Sequence, residues 1–165
     1  EIITLKVPQC TFRSSRGVNV TLVSKIIMLH YINTASGNAL GGDKIPYEDI
    51  RDCRAYLPVF ESRVTKPLTS AFGYNKDAFL EAGIALGGSK EEYGDTSFTL
   101  NVLPNVPITF ILWEGDAEFP PSVKILFDPS INRYLPLEDI VIMCKLAYTR
   151  IMKKARMKYS DDVFE

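Results

Sequence analysis

The sequence predicts an α+β fold in which an antiparallel meander of about three to five strands packs with about four helices, in a single layer on one face. β-branched and aromatic runs follow one another between residues 96 and 128 without a helix between them, which favours antiparallel neighbours. Helical periods precede and follow that block. The 165 residues are 46% hydrophobic, enough for one buried core, and we therefore expect a single domain over residues 1–165.

The first third of the chain is expected to form a strand, a helix and a turn-rich connection. Residues 1–12 alternate in hydrophobicity as a strand does, with Pro8 marking an edge or bend. Residues 19–37 have a helical pattern, with Asn at the first position as a cap and Gly at the last as a terminator. Residues 35–50 are rich in turn formers and end in an extended piece at Ile45–Tyr47.

Two further helices are expected in the middle of the chain. Residues 60–73 predict a short helix that Pro67 interrupts and Gly73 ends. Residues 75–88 predict a more regular helix, because Asn75 can cap it and a Gly-Gly pair closes it.

The strand block and the last helix complete the order of elements. Residues 96–104 and 106–114 predict a hairpin that turns at Pro104-Asn105, and residues 121–128 predict a third strand. Residues 136–158 then have the pattern of a long amphipathic helix that begins with a proline.

Charge argues against nucleic-acid binding, because a net charge of −1 provides no basic face for phosphates. Glu138 and Asp139 in the first turn of the last helix and a basic cluster in its last turns complement the helix dipole. An anionic partner is the alternative interpretation of that cluster. The cluster consists of Arg150, Lys153, Lys154, Arg156 and Lys158.

Several classes of protein are disfavoured by what the sequence lacks. A single histidine rules out a histidine-rich metal site, and no glycine-rich phosphate-binding motif or nucleophile elbow occurs. No apolar run approaches the roughly 20 residues of a membrane span, and no signal-peptide pattern begins the chain. The three cysteines are far apart and form no metal or redox spacing. We expect a cytoplasmic protein, truncated at its N-terminus because the initiator Met is missing.

An acidic stretch, "ILWEGDAEFPPSVKILFD" (residues 111–128), has two interpretations. Glu114, Asp116 and Glu118 would share one face of an extended chain and could bind a cation or perform acid–base catalysis. The same residues are good turn formers, with Phe119 tucking back onto the core. The turn interpretation is favoured, because no partner residues for metal or acid–base chemistry appear elsewhere.

His30 and Trp113 are the other candidate site residues. His30 is either a core histidine bonded to a backbone carbonyl, or an axial ligand for a metal held in a macrocycle, with Tyr31 at the rim of the pocket. Trp113 is either half-buried core or a flat wall for a planar ligand.

Four segments together resemble a domain family of unknown function from anaerobic bacteria and archaea. They are "LHYINTASG" (residues 29–37), "FLEAGIALGG" (79–88), "LPNVPITFILWEGDAEFPPSVKILFD" (103–128) and "YLPLEDI" (134–140). The resemblance covers nearly the whole chain. It implies a cytoplasmic protein in a corrinoid-dependent or iron–sulfur setting, although no cysteine cluster is present here.

The resemblance leads to one leading function and one alternative. The leading expectation is a non-catalytic domain that binds cobalamin or a related corrinoid, with the ring walled by Trp113, Phe119 and Tyr134 and contacted by His30 and Tyr31. The usual cobalamin motif, Asp-x-His-x-x-Gly, is absent, since Met28 and Asn33 stand where Asp and Gly would be. The alternative is a protein–protein accessory or assembly module for an anaerobic metalloenzyme, with no ligand of its own. A homodimer is compatible with both, and an enzyme using Asp116 or Glu118 ranks third.

Overall fold

The computed structural model describes residues 2–37 and 39–161, and an antiparallel sheet of five strands lies at its centre. The strands of this sheet are β3 (Ile45–Pro46), β4 (Ser89–Glu91), β5 (Thr96–Leu103), β6 (Val106–Trp113) and β7 (Ser122–Phe127). Their spatial order is β3-β7-β6-β5-β4, so β5, β6 and β7 form the predicted meander. The predicted α+β fold class is confirmed.

The helices lie before and after the meander in sequence. They are α1 (Leu22–Thr34), α2 (Leu57–Phe60), α3 (Lys66–Phe72), α4 (Lys76–Ala85) and α5 (Leu137–Asp161). A π-helical turn over residues 61–65 joins α2 directly to α3. Pro67 follows this turn in the first turn of α3, where its missing N–H breaks no regular ladder. The prediction of a helix interrupted at Pro67 was therefore wrong, because the helical segment begins at Leu57 and continues through Pro67 to Phe72.

The core lies between the helices and one face of the sheet. Phe98 of β5 is opposite Phe110 of β6, and the two rings are 5.4 Å apart. The ring of Phe79 on α4 packs against the same cluster, tilted by 51° and 4.8 Å from the ring of Phe98. A Cβ at Gly83 would lie 2.6 Å from the Phe98 ring, so only glycine allows this approach of α4 to β5. Helix α5 packs on α4 and on the 61–65 turn.

The N-terminal region differs from the prediction in two ways. The expected strand over residues 1–12 is a separate hairpin of β1 (Ile3–Lys6) and β2 (Thr11–Ser14), and Glu1 lies outside the described residues. Helix α1 begins after Thr21, whose hydroxyl accepts from the Ser24 amide at 3.2 Å, and not after Asn19. No described helix has the length and apolar character needed to cross a membrane.

Candidate functional site

Helix α1 has an apolar surface that the other residues described by the structure do not cover. Eight of the 13 residues of the helix are apolar, yet Ile27 is its only buried residue. The apolar face of a helix is normally covered by other protein. Its large exposed side chains are Leu22, Val23, Ile26, Leu29 and Ile32.

The exposed residues of α1 form a stripe and are not scattered. Leu22, Ile26 and Leu29 are separated by four and three residues, so they lie along one side of the helix. They are 71%, 41% and 38% exposed. Monomeric proteins rarely leave contiguous apolar patches in water, so such a patch indicates an interaction site. We call these three residues with Val23 the α1 face.

His30 stands at the C-terminal end of the α1 face and is held by a buried carboxylate. Its Nδ1 lies 2.7 Å from Oδ2 of Asp139, which is buried, whereas half of the His30 side chain is exposed. A carboxylate only accepts, so Nδ1 donates the hydrogen of this bond and Nε2 takes no part in it. The interpretation of His30 as a buried core residue was wrong, because α1 turns only Ile27 fully into the core.

Asp139 is a site residue that the sequence reasoning assigned only to the helix dipole. It lies in the first turn of α5, 109 residues after His30. A signal for its burial was present in the sequence. Asp139 precedes buried Met143 and Ala147 by four and eight residues, which places it on the core side of α5. A carboxylate that is buried in such a stripe needs a hydrogen-bond donor to offset the loss of water, and Nδ1 of His30 is that donor.

Tyr31 and Tyr134 lie beside the His30–Asp139 pair. Their rings are stacked with centroids 6.1 Å apart, and the Tyr31 hydroxyl donates to the Pro104 carbonyl at 2.7 Å. Burial of the hydroxyl raises the pKa of Tyr31, and the neighbouring Tyr134 raises it further by a smaller amount. Tyr134 itself is buried, so it supports the ring of Tyr31 and offers no open wall to a ligand.

Trp113 and Phe119 are not part of this cluster. Tyr31 reaches Pro104 in the turn just before β6, whereas Trp113 is the last residue of that strand and is paired with Ser122. Seven residue steps from Val106 place Trp113 about 24 Å further along the strand. The structure therefore divides the five candidate residues into two groups that cannot wall one ring.

The acidic stretch between β6 and β7 is a turn. Oδ1 of Asp116 accepts from the amides of Phe119 at 2.7 Å and Glu118 at 2.8 Å, and these two bonds lower the pKa of Asp116. Glu114 points elsewhere, towards Lys76, with 3.2 Å between Oε2 and Nζ. The prediction that Phe119 tucks onto the core was wrong, since 67% of it is exposed.

A polar network on the sheet face away from Phe98 was not predicted. Thr99 donates to Glu91 at 2.6 Å and lies 2.7 Å from the hydroxyl of buried Thr109. Lys44 reaches the same Glu91 oxygen at 2.9 Å. Hydrogen bonds from Thr99 and Lys44 lower the pKa of Glu91. The groups satisfy one another, so the network fastens the chain around Lys44 to the sheet.

Metal binding by a cluster of side chains has no support in the described part of the chain. Within residues 2–37 and 39–161, no three His, Cys, Asp or Glu side chains are placed to hold an ion. His30 with Asp139 is a pair of one nitrogen and one carboxylate, one side chain short of such a cluster.

Comparison with known protein families shows to which family this chain belongs. The model of the family described as "Domain of unknown function (DUF3786)" matches residues 2–150, which is most of the chain. The chain belongs to DUF3786. The expected membership in a family of unknown function is thereby confirmed, and the DUF3786 match includes both α1 and the His30–Asp139 pair. No curated protein and no solved structure matches this chain.

Proposed function

We propose that this DUF3786 domain is a non-catalytic protein–protein module that docks on a partner protein through the α1 face. The observation that carries the proposal is the apolar stripe of Leu22, Ile26 and Leu29 on a helix that buries one residue. Burying a fully exposed large aliphatic side chain contributes about 1.5–3 kcal/mol, so the exposed parts of these three can supply part of the apolar centre of an interface.

The shape of the α1 face favours a protein over a small molecule. Small ligands bind in concave sites that cover most of their surface. The outer side of a helix is convex, and a groove on another protein can enclose it, as amphipathic helices are enclosed in helix-in-groove complexes. An accessory domain is therefore the function that this geometry supports best.

The partner is a metalloenzyme of anaerobic metabolism, and the complex is cytoplasmic. This part of the proposal rests on the resemblance of the segments around residues 29–37 and 103–128 to proteins from anaerobes. The single imidazole of His30 at the end of the α1 face fits such a partner, because docking would bring it to the partner's surface.

The change Ile26→Asn tests the docking surface. We expect recovery of the partner to fall about tenfold, because a polar amide would replace an aliphatic contact in the buried centre of the interface. The measurement is quantitative mass spectrometry of proteins that co-purify, without oxygen, with the tagged chain from its own host.

Ile84→Asn is the matched control, because Ile84 lies on α4 and is 43% exposed against 41% for Ile26. The proposal expects a metalloenzyme that the wild type and Ile84→Asn retain and Ile26→Asn loses. Equal recovery of every protein by the two variants would contradict it.

A corrinoid bound through His30 is the second candidate, and the His30–Asp139 bond favours it. A ligating histidine usually donates its other ring N–H to a carboxylate, which orients the ring and makes it a better ligand. Asp139 is placed in this way relative to His30. When bound, a corrinoid supplies a cobalt centre, and the part of this chain is to present Nε2 of His30.

Hydroxocobalamin added to the purified protein tests this candidate. We expect a shifted visible spectrum and co-elution of the pigment on a sizing column, both lost in His30→Ala. Trp113→Ala is the control and should leave the spectrum unchanged, because Trp113 lies at the far end of β6. No retention at a large excess of pigment would exclude the candidate.

A further inference from the structure

The N-terminal part of the chain buries very little of itself against the rest of the domain. Among residues 2–37, Ile27 is the only buried residue. The hairpin of β1 and β2 pairs with itself and joins no other described strand. Nζ of Lys25 lies 5.8 Å from the centre of the Phe12 ring, so the hairpin lies beside α1. We call residues 2–37 the N-terminal arm.

The contacts that hold the arm lie in the second half of α1. Ile27 is part of the core, and the ring of Tyr31 stacks on that of Tyr134. Nδ1 of His30 lies 2.7 Å from Oδ2 of Asp139. The Tyr31 hydroxyl donates at 2.7 Å to a backbone carbonyl in the turn between β5 and β6. One short stretch of helix therefore carries the attachment of the whole arm.

Helix α4 shows how a firmly packed helix of this domain differs from α1. It has ten residues and buries four of them, whereas α1 has 13 and buries one. Segments with few buried apolar contacts open locally at a lower free energy than the core does. An isolated two-stranded hairpin is marginally stable in water, so β1 and β2 add little that would hold α1 in place.

We infer that the N-terminal arm opens as one unit while the rest of the domain stays folded, and that two hydrogen bonds act as its latch. The latch consists of the His30–Asp139 and Tyr31–Pro104 bonds. Opening frees the side of α1 that carries Ile27 and Tyr31, so a groove on a partner can then enclose the helix on all sides. A partner that binds this open form shifts the population towards it. The role in partner binding rests on the proposed docking function, whereas the opening itself does not.

Hydrogen–deuterium exchange of the purified chain, read by mass spectrometry of its peptides, tests the opening. Relative to their intrinsic rates, we expect the hydrogen-bonded amides of α1 to exchange about 100-fold faster than those of α4. Phe98→Leu is the decisive variant, because Phe98 contacts Phe79 and Phe110 in the core and no described contact joins it to the arm. It should accelerate exchange in α4 and β5 and leave exchange in α1 unchanged. Equal acceleration in α1 would show that the arm opens only when the whole domain unfolds, which would overturn the inference.

Removing a latch contact should accelerate exchange throughout the arm. Tyr31→Phe keeps the ring and loses one hydrogen bond, so we expect exchange in α1 and in the β1–β2 hairpin to become about fivefold faster. His30→Ala removes the bond to a buried carboxylate and should have an effect of about tenfold. Asn33→Ala is the matched control, because Asn33 is exposed on the same helix, and it should change nothing. Exchange in the arm that stays at the wild-type rate in both latch variants would overturn the latch.

Recovery of the partner separates this inference from the docking proposal. Tyr31→Phe leaves the α1 face intact and loosens the latch, so it should raise recovery of the protein that Ile26→Asn loses, by up to about fivefold. Unchanged or lower recovery in Tyr31→Phe, together with faster exchange in the arm, would show that the partner binds the closed form and would overturn the role in partner binding. If Ile26→Asn loses no protein but the arm exchanges as expected, the docking proposal is wrong and the opening of the arm stands.

Discussion

Replacing Phe98 with alanine is expected to lower the free energy of unfolding by about 3–5 kcal/mol, the range for removing a buried aromatic ring. The Phe98 ring is fully buried, touches the rings of Phe79 and Phe110, and fills the space that Gly83 leaves on α4. Its loss would leave a cavity between α4 and the sheet that neither element can close without moving. Urea unfolding followed by circular dichroism measures the change.

Phe119→Ala is the control for this substitution. It removes the same side chain from a position that is 67% exposed, so we expect a change within about 0.5 kcal/mol. Similar losses in the two variants would show that the Phe98 cluster does not form the centre of the core. Should Phe98→Ala fail to fold at all, Phe98→Leu keeps most of the volume and allows the cost to be measured.

Removing His30 is the second change with a large expected effect. In His30→Ala the buried Asp139 carboxylate loses its hydrogen-bond donor, and an unpaired buried charge is costly. Because half of the imidazole is exposed, water screens the pair, and we expect a loss of about 1–2 kcal/mol in the free energy of unfolding.

A double-mutant cycle isolates the contribution of this pair. The variants are His30→Ala, Asp139→Ala and the double change, each measured by urea unfolding. We expect the double variant to lose less than the sum of the single ones, because removing Asp139 also removes the unpaired charge that His30→Ala creates. Asn33→Ala, at an exposed position of the same helix, should have little effect. Additive losses would show that the two residues do not interact.

The fold was predictable from the sequence where short-range signals decide it. The hairpin of β5 and β6 turns where Pro104-Asn105 predicted, and Asn105 has the positive φ of 55° that such a turn requires. Asp116 forms the turn before β7 that its spacing indicated. In both cases residues within four positions of one another make the structure, so their types and order carry the information.

The helix ends and the N-terminal strand were less predictable. Thr21 and Asn19 are both good caps, and the choice of Thr21 depends on which turn of α1 meets the core at Ile27. Alternation over residues 1–12 predicted one strand. In the structure β1 pairs with β2, so the backbone N–H and C=O groups of this short hairpin form hydrogen bonds without joining the main sheet.

The sequence by itself determined the antiparallel meander, the order of the helices and the identity of the turn residues, because these depend on neighbours in the chain. Only the tertiary structure decided which residues form a site. Packing joined His30 to Asp139 across 109 positions, separated Trp113 from Tyr134 and left the apolar side of α1 in water. Hydrophobic periodicity predicts that a residue is buried but not which surface buries it, and within residues 2–37 and 39–161 no element covers the apolar side of α1.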